Sequence, residues 1–373
     1  MSTGNDPAGL MRRLRGAAEA VADAGLVGMV VSPGPDLRYL TGYDALPMER
    51  LTCLVLPADG TPTVVVPELE KPAAQASPLG GLPVEIVTWP EIDDPYAMVA
   101  SMLPASGRFA VDDQMWAAKL LAIGRAAPGL TAVAAGELMK GLRQHKTADE
   151  LQALREAAEA IDAVHAQVPT WLRPGRTERE IARDIGDAIL TCGHARVDFV
   201  IVASGPNGAS PHHEVSDRVL QPGDPVVVDI GGTMPSGYRS DSTRCYSLGP
   251  AESGFLALYQ VLREAQQAGC AAVRPGVSAE SIDAASRSVI EAAGYGDYFV
   301  HRTGHGIGLE THEHPYIVAG NAEPVSAGMT FSIEPGIYLP DRFGMRLEDI
   351  VACTDSGVER LNQASRELVV VDL

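Results

Sequence analysis

Two aspartates, Asp229 and Asp241, stand on either side of a turn rich in glycine and proline. The stretch reads VVVDIGGTMPSGYRSDSTR from Val226 to Arg244, with Gly231, Gly232, Pro235 and Gly237 between the two acids. Such residues suit the turn of an antiparallel hairpin, which would draw together two carboxylates twelve positions apart (241 minus 229). Like charges on a sheet wall repel and are costly to bury unless something positive lies between them. A metal ion is one answer; a strand end for Asp229 and a turn cap for Asp241 are the plainer one.

Residues further on add to the pair. HRTGHGIGLETHEHP carries His301, His305, His312 and His314, with Gly304, Gly306 and Gly308 letting the backbone pass close to a ligand or another strand. Glu334 follows an apolar run in FSIEPGIY, and Glu348 sits inside the strand-like GMRLEDIV. Acids within apolar strands are seldom left unpaired. Asp229, Asp241, His305, Glu334 and Glu348 together form an oxygen-rich, sulfur-free set that suits Mn, Co, Fe or Zn. Four negative charges exceed what one divalent ion balances but nearly match two, which carboxylates can bridge at about 3.5–4 Å.

The elements that must position these side chains are legible in outline. A helical spacing from residue 10 to 24 stops at Gly25, and short strands are predicted over 28–31, 51–56, 63–66, 84–87 and 109–111. Ala-rich stretches between them predict a small α/β domain ending near Gly141. Residues 35–43 read as a turn leading into a short aromatic piece. Thr147 with Glu150, and Thr177 with Glu180, have the capping-box spacing, predicting helices to about Val168 and Cys192. LRPGRTEREIARDIGDAILTCG from Leu172 is echoed by VRPGVSAESIDAASRSVIEAAG from Val273, an offset of 101 (273 minus 172). A duplicated α/β half, two of which enclose a cleft, is the informative reading; convergence on helix-start chemistry is the other.

Composition sets the bounds. With 373 residues, 46% hydrophobic and 21% charged, the chain has room for two folded domains. A net charge of −19 argues against nucleic acid or an anionic membrane as partner. Five scattered cysteines without a C-x-x-C predict neither a disulfide framework nor a thiolate metal site. The N-terminal arginines precede no apolar core, so neither a secretory signal nor a membrane span is predicted, and the expected location is cytoplasmic.

VVVDIGG, SDSTR, GHGIGLETHEHP, FSIEPGIY and RLEDIV occur in this order, and in that order they resemble the pita-bread metallopeptidases, the family of methionine aminopeptidase, aminopeptidase P and prolidase. The resemblance is strong from Thr147 to the C-terminus and weaker before it. It implies an α/β (α+β) architecture: residues 1–143 as a smaller creatinase/prolidase-type N-terminal domain and 144–373 as the catalytic pita-bread domain. It further implies that Asp241 and Glu348 bridge two metal ions, Mn with Co, Zn or Fe as alternatives. Asp229 then completes one ion, and His305 with Glu334 the other. His212 matches a histidine that contacts the scissile peptide, His312 a second active-site histidine and His301 one lining the pocket; Arg346 is expected to hold a bridging carboxylate in a bidentate pair. Glu334 is expected to relay the attacking water's proton to the leaving nitrogen. His213, His314 and Asp349 are assigned structural roles only.

The His301/His312 pattern and the two-domain length imply the branch that cleaves Xaa-Pro bonds in short peptides, a prolidase-like dipeptidase, and the resemblance to a family whose members are commonly dimers implies a homodimer. Aminopeptidase P, acting on Xaa-Pro-Yaa, is the alternative: some prolidases place a basic residue near Tyr316 for the dipeptide carboxylate, and tyrosine carries no such charge. A metal-dependent enzyme of non-peptide substrates and a non-catalytic pita-bread module that binds proteins are the readings from other classes. Creatinase-type enzymes and the modules lack the ligand set that this chain keeps.

Overall fold

Thr147 accepts from the Glu150 amide while the Glu150 side chain accepts from the Thr147 amide, and this reciprocal cap starts the helix Ala148–His165. The same device at Thr177 and Glu180 starts Glu178–Thr191. Both helices lay apolar faces on one side of a four-stranded sheet, where Ile161, Val164, Ile185 and Ile189 bury against Val226, Val228, Ile230 and Tyr246. The strand order is Val369–Val371, Arg239–Leu248, Pro225–Thr233, Arg196–Ser204. The predicted hairpin is the centre of this sheet, its strands Pro225–Thr233 and Arg239–Leu248 running antiparallel. Side chains alternate across a strand, so the even-numbered valines meet the helices while Val227, Asp229 and, across the ladder, Asp241 and Thr243 lie on the opposite face.

A second sheet repeats the arrangement. Its order is Glu313–Ile317, Gly304–Gly306, Thr330–Ile333, Asp349–Thr354, Gly357–Arg360, and the helices Ser253–Ala272 and Ala279–Ala292 accompany it. Ile282 and Val273 bury with Phe331, Ile333 and Val351. The helix Ala279–Ala292 begins and ends 101 residues after Glu178–Thr191 (279 minus 178, 292 minus 191). Each is preceded by a residue making an isolated bridge to a later segment, Thr177 to Val219 and Ser278 to Pro324. The internal echo is therefore a duplicated helix-and-sheet half. A short hairpin, Gly336–Leu339 with Phe343–Arg346, stands between strands of the second sheet in sequence.

This computed structural model describes residues 6–373, which fall into two compact units, one ending at Arg143 and the other spanning Gln144–Leu373. The first unit holds a mixed six-stranded sheet in the order Glu85–Trp89, Thr63–Pro67, Cys53–Pro57, Gly28–Val31, Gly107–Val111, Leu130–Ala134. Its five predicted strands are present, 28–31 with its bounds unchanged and the other four with ends shifted by one or two residues; Leu130–Ala134 is an additional one. Residues 35–43, read as a turn, contain the helix Pro35–Thr41. Proline at its first turn and a left-handed Gly42 at its end delimit it, and Leu37, Tyr39 and Leu40 bury its inner face. All five cysteines are free thiols. Among the described residues no helix is long and apolar enough to cross a membrane.

A candidate dinuclear metal centre

Asp229 and Asp241 come from adjacent hairpin strands, Asp229 opposite Thr243 and Asp241 opposite Gly231, so the two acids are diagonal neighbours on one face. Gly231 is required there: a Cβ would lie 2.4 Å from the Phe199 ring. His305 is the middle residue of Gly304–Gly306, and a Cβ on Gly304 would meet the Ser332 carbonyl oxygen at 1.9 Å. Glycine lets this strand press against its neighbour and push the imidazole into the cavity. Glu334 lies in the break between Thr330–Ile333 and Gly336–Leu339. Glu348, expected within a strand, occupies a similar break between Phe343–Arg346 and Asp349–Thr354. Its amide donates to the Thr243 carbonyl at 3.2 Å, which ties it to the hairpin rather than to a ladder of its own.

Ligand atoms of Asp241, His305 and Glu348 lie within 4.8 Å of one another. His305 Nε2 is 3.0 Å from Glu334 Oε1 and 3.7 Å from Asp241 Oδ2. The other ring nitrogen, Nδ1, faces the Gly306 carbonyl at 3.2 Å, which fixes the ring so that Nε2 points at the acids. Ser332 Oγ donates to Glu334 Oε1 at 2.9 Å. Thr243 Oγ1 donates to Glu348 Oε2 at 2.8 Å. Arg346 reaches Asp229 Oδ2 at 2.5 Å through one nitrogen and Tyr338 through the other at 2.7 Å. The expected bidentate pair with a bridging carboxylate is absent: Asp229 is the partner, because Tyr338 takes the second arm of the fork. His212, His301, His312 and Arg346 line one cavity of about 1050 Å³ with the five acid and imidazole candidates.

Two oxygens in this cluster, Asp229 Oδ1 and Glu348 Oε1, are buried without a hydrogen-bond partner. An unsatisfied buried acceptor costs about 1–3 kcal/mol, and more when charged. Burial and the Asp229 charge hold Asp241 well above the ordinary carboxylate range, and burial with Asp241 does the same to Glu348. Glu334 goes the other way: burial would raise it, but the His305 hydrogen bond and charge outweigh this and hold it at about 2. Unmet oxygens among crowded carboxylates with an imidazole nitrogen aimed at them are a donor set that divalent cations fit. Burial, then the His305 and Arg302 charges, lower His312 to about 4; burial lowers His301 too, so both rings are neutral at pH 7.

Several supporting residues carry no signal that would single them out in sequence. Tyr338 joins Arg346 to His301 Nε2, 2.9 Å away. Glu178, at the first turn of its helix, accepts from Ser204, Asn207, His213 and Ser216 and so ties down the loop that bears His212. His213 has the structural role expected of it. Asp349 is likewise structural, paired with Arg244 at 2.6 Å.

Residues 152–355 match the family model for metallopeptidase family M24, and residues 13–145 that for the creatinase/prolidase N-terminal domain. The chain is 53% identical over 361 residues to a probable dipeptidase PepE of Mycobacterium tuberculosis, covering 96% of each. It is 35% identical to an Xaa-Pro dipeptidase of Lactobacillus delbrueckii subsp. lactis, covering 91% of this chain and 94% of the other. The crystal structure of dipeptidase PepE from Mycobacterium ulcerans matches with a TM-score of 0.94 at 52% identity over 99% of both chains. The duplicated halves are thus those of the pita-bread fold, preceded by a creatinase/prolidase-type domain, and the chain belongs to metallopeptidase family M24.

Proposed function

We propose that the protein is an Xaa-Pro dipeptidase that uses two divalent ions, manganese in the first instance with cobalt, zinc or iron as alternatives. The observation that carries this reading is the pair of unmet carboxylate oxygens, Asp229 Oδ1 and Glu348 Oε1, beside His305 Nε2. Asp229, Asp241, His305, Glu334 and Glu348 are the residues assigned to hold the ions, with Asp241 and Glu348 shared. Ions held there supply a Lewis acid for the scissile carbonyl and acidify the attacking water.

The protein's own groups do the rest. Glu334, ionised through its contact with His305, takes the water's proton and delivers it to the departing nitrogen. His212 donates to the carbonyl oxygen, while the neutral rings of His301 and His312 line the cavity beside the reacting bond. Arg346 holds the Asp229 carboxylate in place through its contact with Oδ2. The preference for proline is supported by the relative described as an Xaa-Pro dipeptidase. A homodimer and a cytoplasmic location go with this reading on the strength of the resemblance, and light scattering and cell fractionation test them.

The functional test compares Ala-Pro, Ala-Pro-Ala and Ala-Ala with manganese-loaded protein. Turnover of Ala-Pro well above the other two is expected. Preference for the tripeptide would reassign the protein to the aminopeptidase P activity, and preference for Ala-Ala would remove proline from the reading.

A further inference from the structure

Three arginines line the cavity, and two of them are committed. Arg346 is paired with Asp229 and Arg239 with Asp198. Arg302 lines the same cavity, yet among the described residues its guanidinium has no acidic partner. It rests instead over the ring of Tyr316, 4.4 Å from the centroid. His314 packs on that ring, the centroids 4.8 Å apart, and the Tyr316 backbone is fixed by Asn321 Nδ2, which donates to its carbonyl at 2.7 Å. Tyr316 is the cross-strand partner of His305 in the antiparallel pair Gly304–Gly306 with Glu313–Ile317. Directly opposed residues share a face, so the ring that carries Arg302 stands beside the imidazole aimed at the acids.

An arginine stacked on an aromatic face keeps its charge, loses rotamer freedom in advance and leaves its N–H edge open. That edge matches a carboxylate in two parallel hydrogen bonds. The carboxylates of the cavity do not occupy it, although five are present. A dipeptide differs from a longer peptide in carrying a free carboxylate one residue beyond the bond to be cut. We propose that Arg302, braced by Tyr316, receives the C-terminal carboxylate of a dipeptide substrate and thereby selects dipeptides over longer chains. The proposal rests on the dipeptidase reading above and supplies the cation that Tyr316 itself lacks.

The test pairs each acid with its uncharged counterpart: Ala-Pro against Ala-Pro-amide, in wild type, Arg302→Met, Arg302→Lys and Tyr316→Leu, all manganese-loaded and checked for metal content. Wild type is expected to favour the acid by about tenfold or more in kcat/KM, the range of a charge-assisted hydrogen bond. Arg302→Met should bring the acid-to-amide ratio to about one, through KM for the acid, and Arg302→Lys should keep part of it. Tyr316→Leu, which leaves the cation but removes its support, should lower the ratio in the same way and judges the proposal if Arg302→Met does not fold. A ratio unchanged in the folded variants, or a wild type that cuts acid and amide equally, overturns the proposal while leaving the peptidase reading intact. A wild type that cuts neither overturns the peptidase reading, and this proposal with it.

Discussion

Thr243 and Arg346 decide how the carboxylates of the cavity point. Thr243 Oγ1 donates to Glu348 Oε2 and also meets Arg346 Nε at 3.2 Å, so one hydroxyl links two acid-orienting contacts. Thr243→Val keeps the shape and removes the donor; metal affinity, read by chelator competition, should fall about 10–100-fold, as for other partners of metal ligands. Unchanged affinity would show that Glu348 needs no such support. Glu334→Gln should lower kcat by about 100-fold or more with the fold kept by circular dichroism; a metal-loaded variant with wild-type kcat would refute the proton-relay role. Asp229, Glu334 and Glu348 were legible in sequence because each adjoins an apolar run, where a charge needs a reason, and Asp241 because a Gly/Pro-rich turn pairs it with Asp229. Thr243 and Tyr338 were not, since hydroxyls are ordinary in strands and reveal their purpose only when their neighbours are in place.

Among the elements, the loop between Arg196–Ser204 and Pro225–Thr233 owes its course to one buried carboxylate. Burial would raise Glu178, but the donors on Ser216, Ser204 and His213 outweigh it and hold it at about 2. Glu178→Leu strands those donors; kcat should fall about tenfold or more with metal content unchanged, because His212 loses its anchor. Faster hydrogen exchange across residues 204–216 is the accompanying sign, and unchanged exchange would mean that the loop is held by other contacts. Both capping boxes were readable because a cap is a local bargain between residues three apart. The helix Pro35–Thr41 was not: at seven residues it has too few turns to display a period, and its stability comes from burial of Leu37, Tyr39 and Leu40. Leu130–Ala134 escaped for the converse reason, being an edge strand, largely exposed, with no alternation to betray it.

For the molecule as a whole, acid sensitivity has an identifiable contributor in His165, buried against Tyr246 and the Ser242 carbonyl. Burial, with the Arg244 charge, lowers it to about 3. The folded chain thus keeps it neutral while the unfolded chain protonates it below about pH 6.5. Its contribution is complete above that pH and is lost as pH falls from about 6.5 towards 3, by up to about 1.4 kcal/mol per pH unit. His165→Asn should flatten the fall of Tm between pH 6.5 and 4.5; an unaltered slope would assign the acid sensitivity elsewhere. The two bridges Thr177–Val219 and Ser278–Pro324 carry a further implication. Their far ends are 105 residues apart (324 minus 219), and so are Asp229 and Glu334 (334 minus 229). Matching places in the two repeats therefore hold matching acids, and each repeat by itself owns only part of the proposed ion cage. Cut in the linker at 249–252, the C-terminal unit should yield two fragments that retain no manganese apart and regain it when mixed, the cation acting as mortar between bricks cast from one mould.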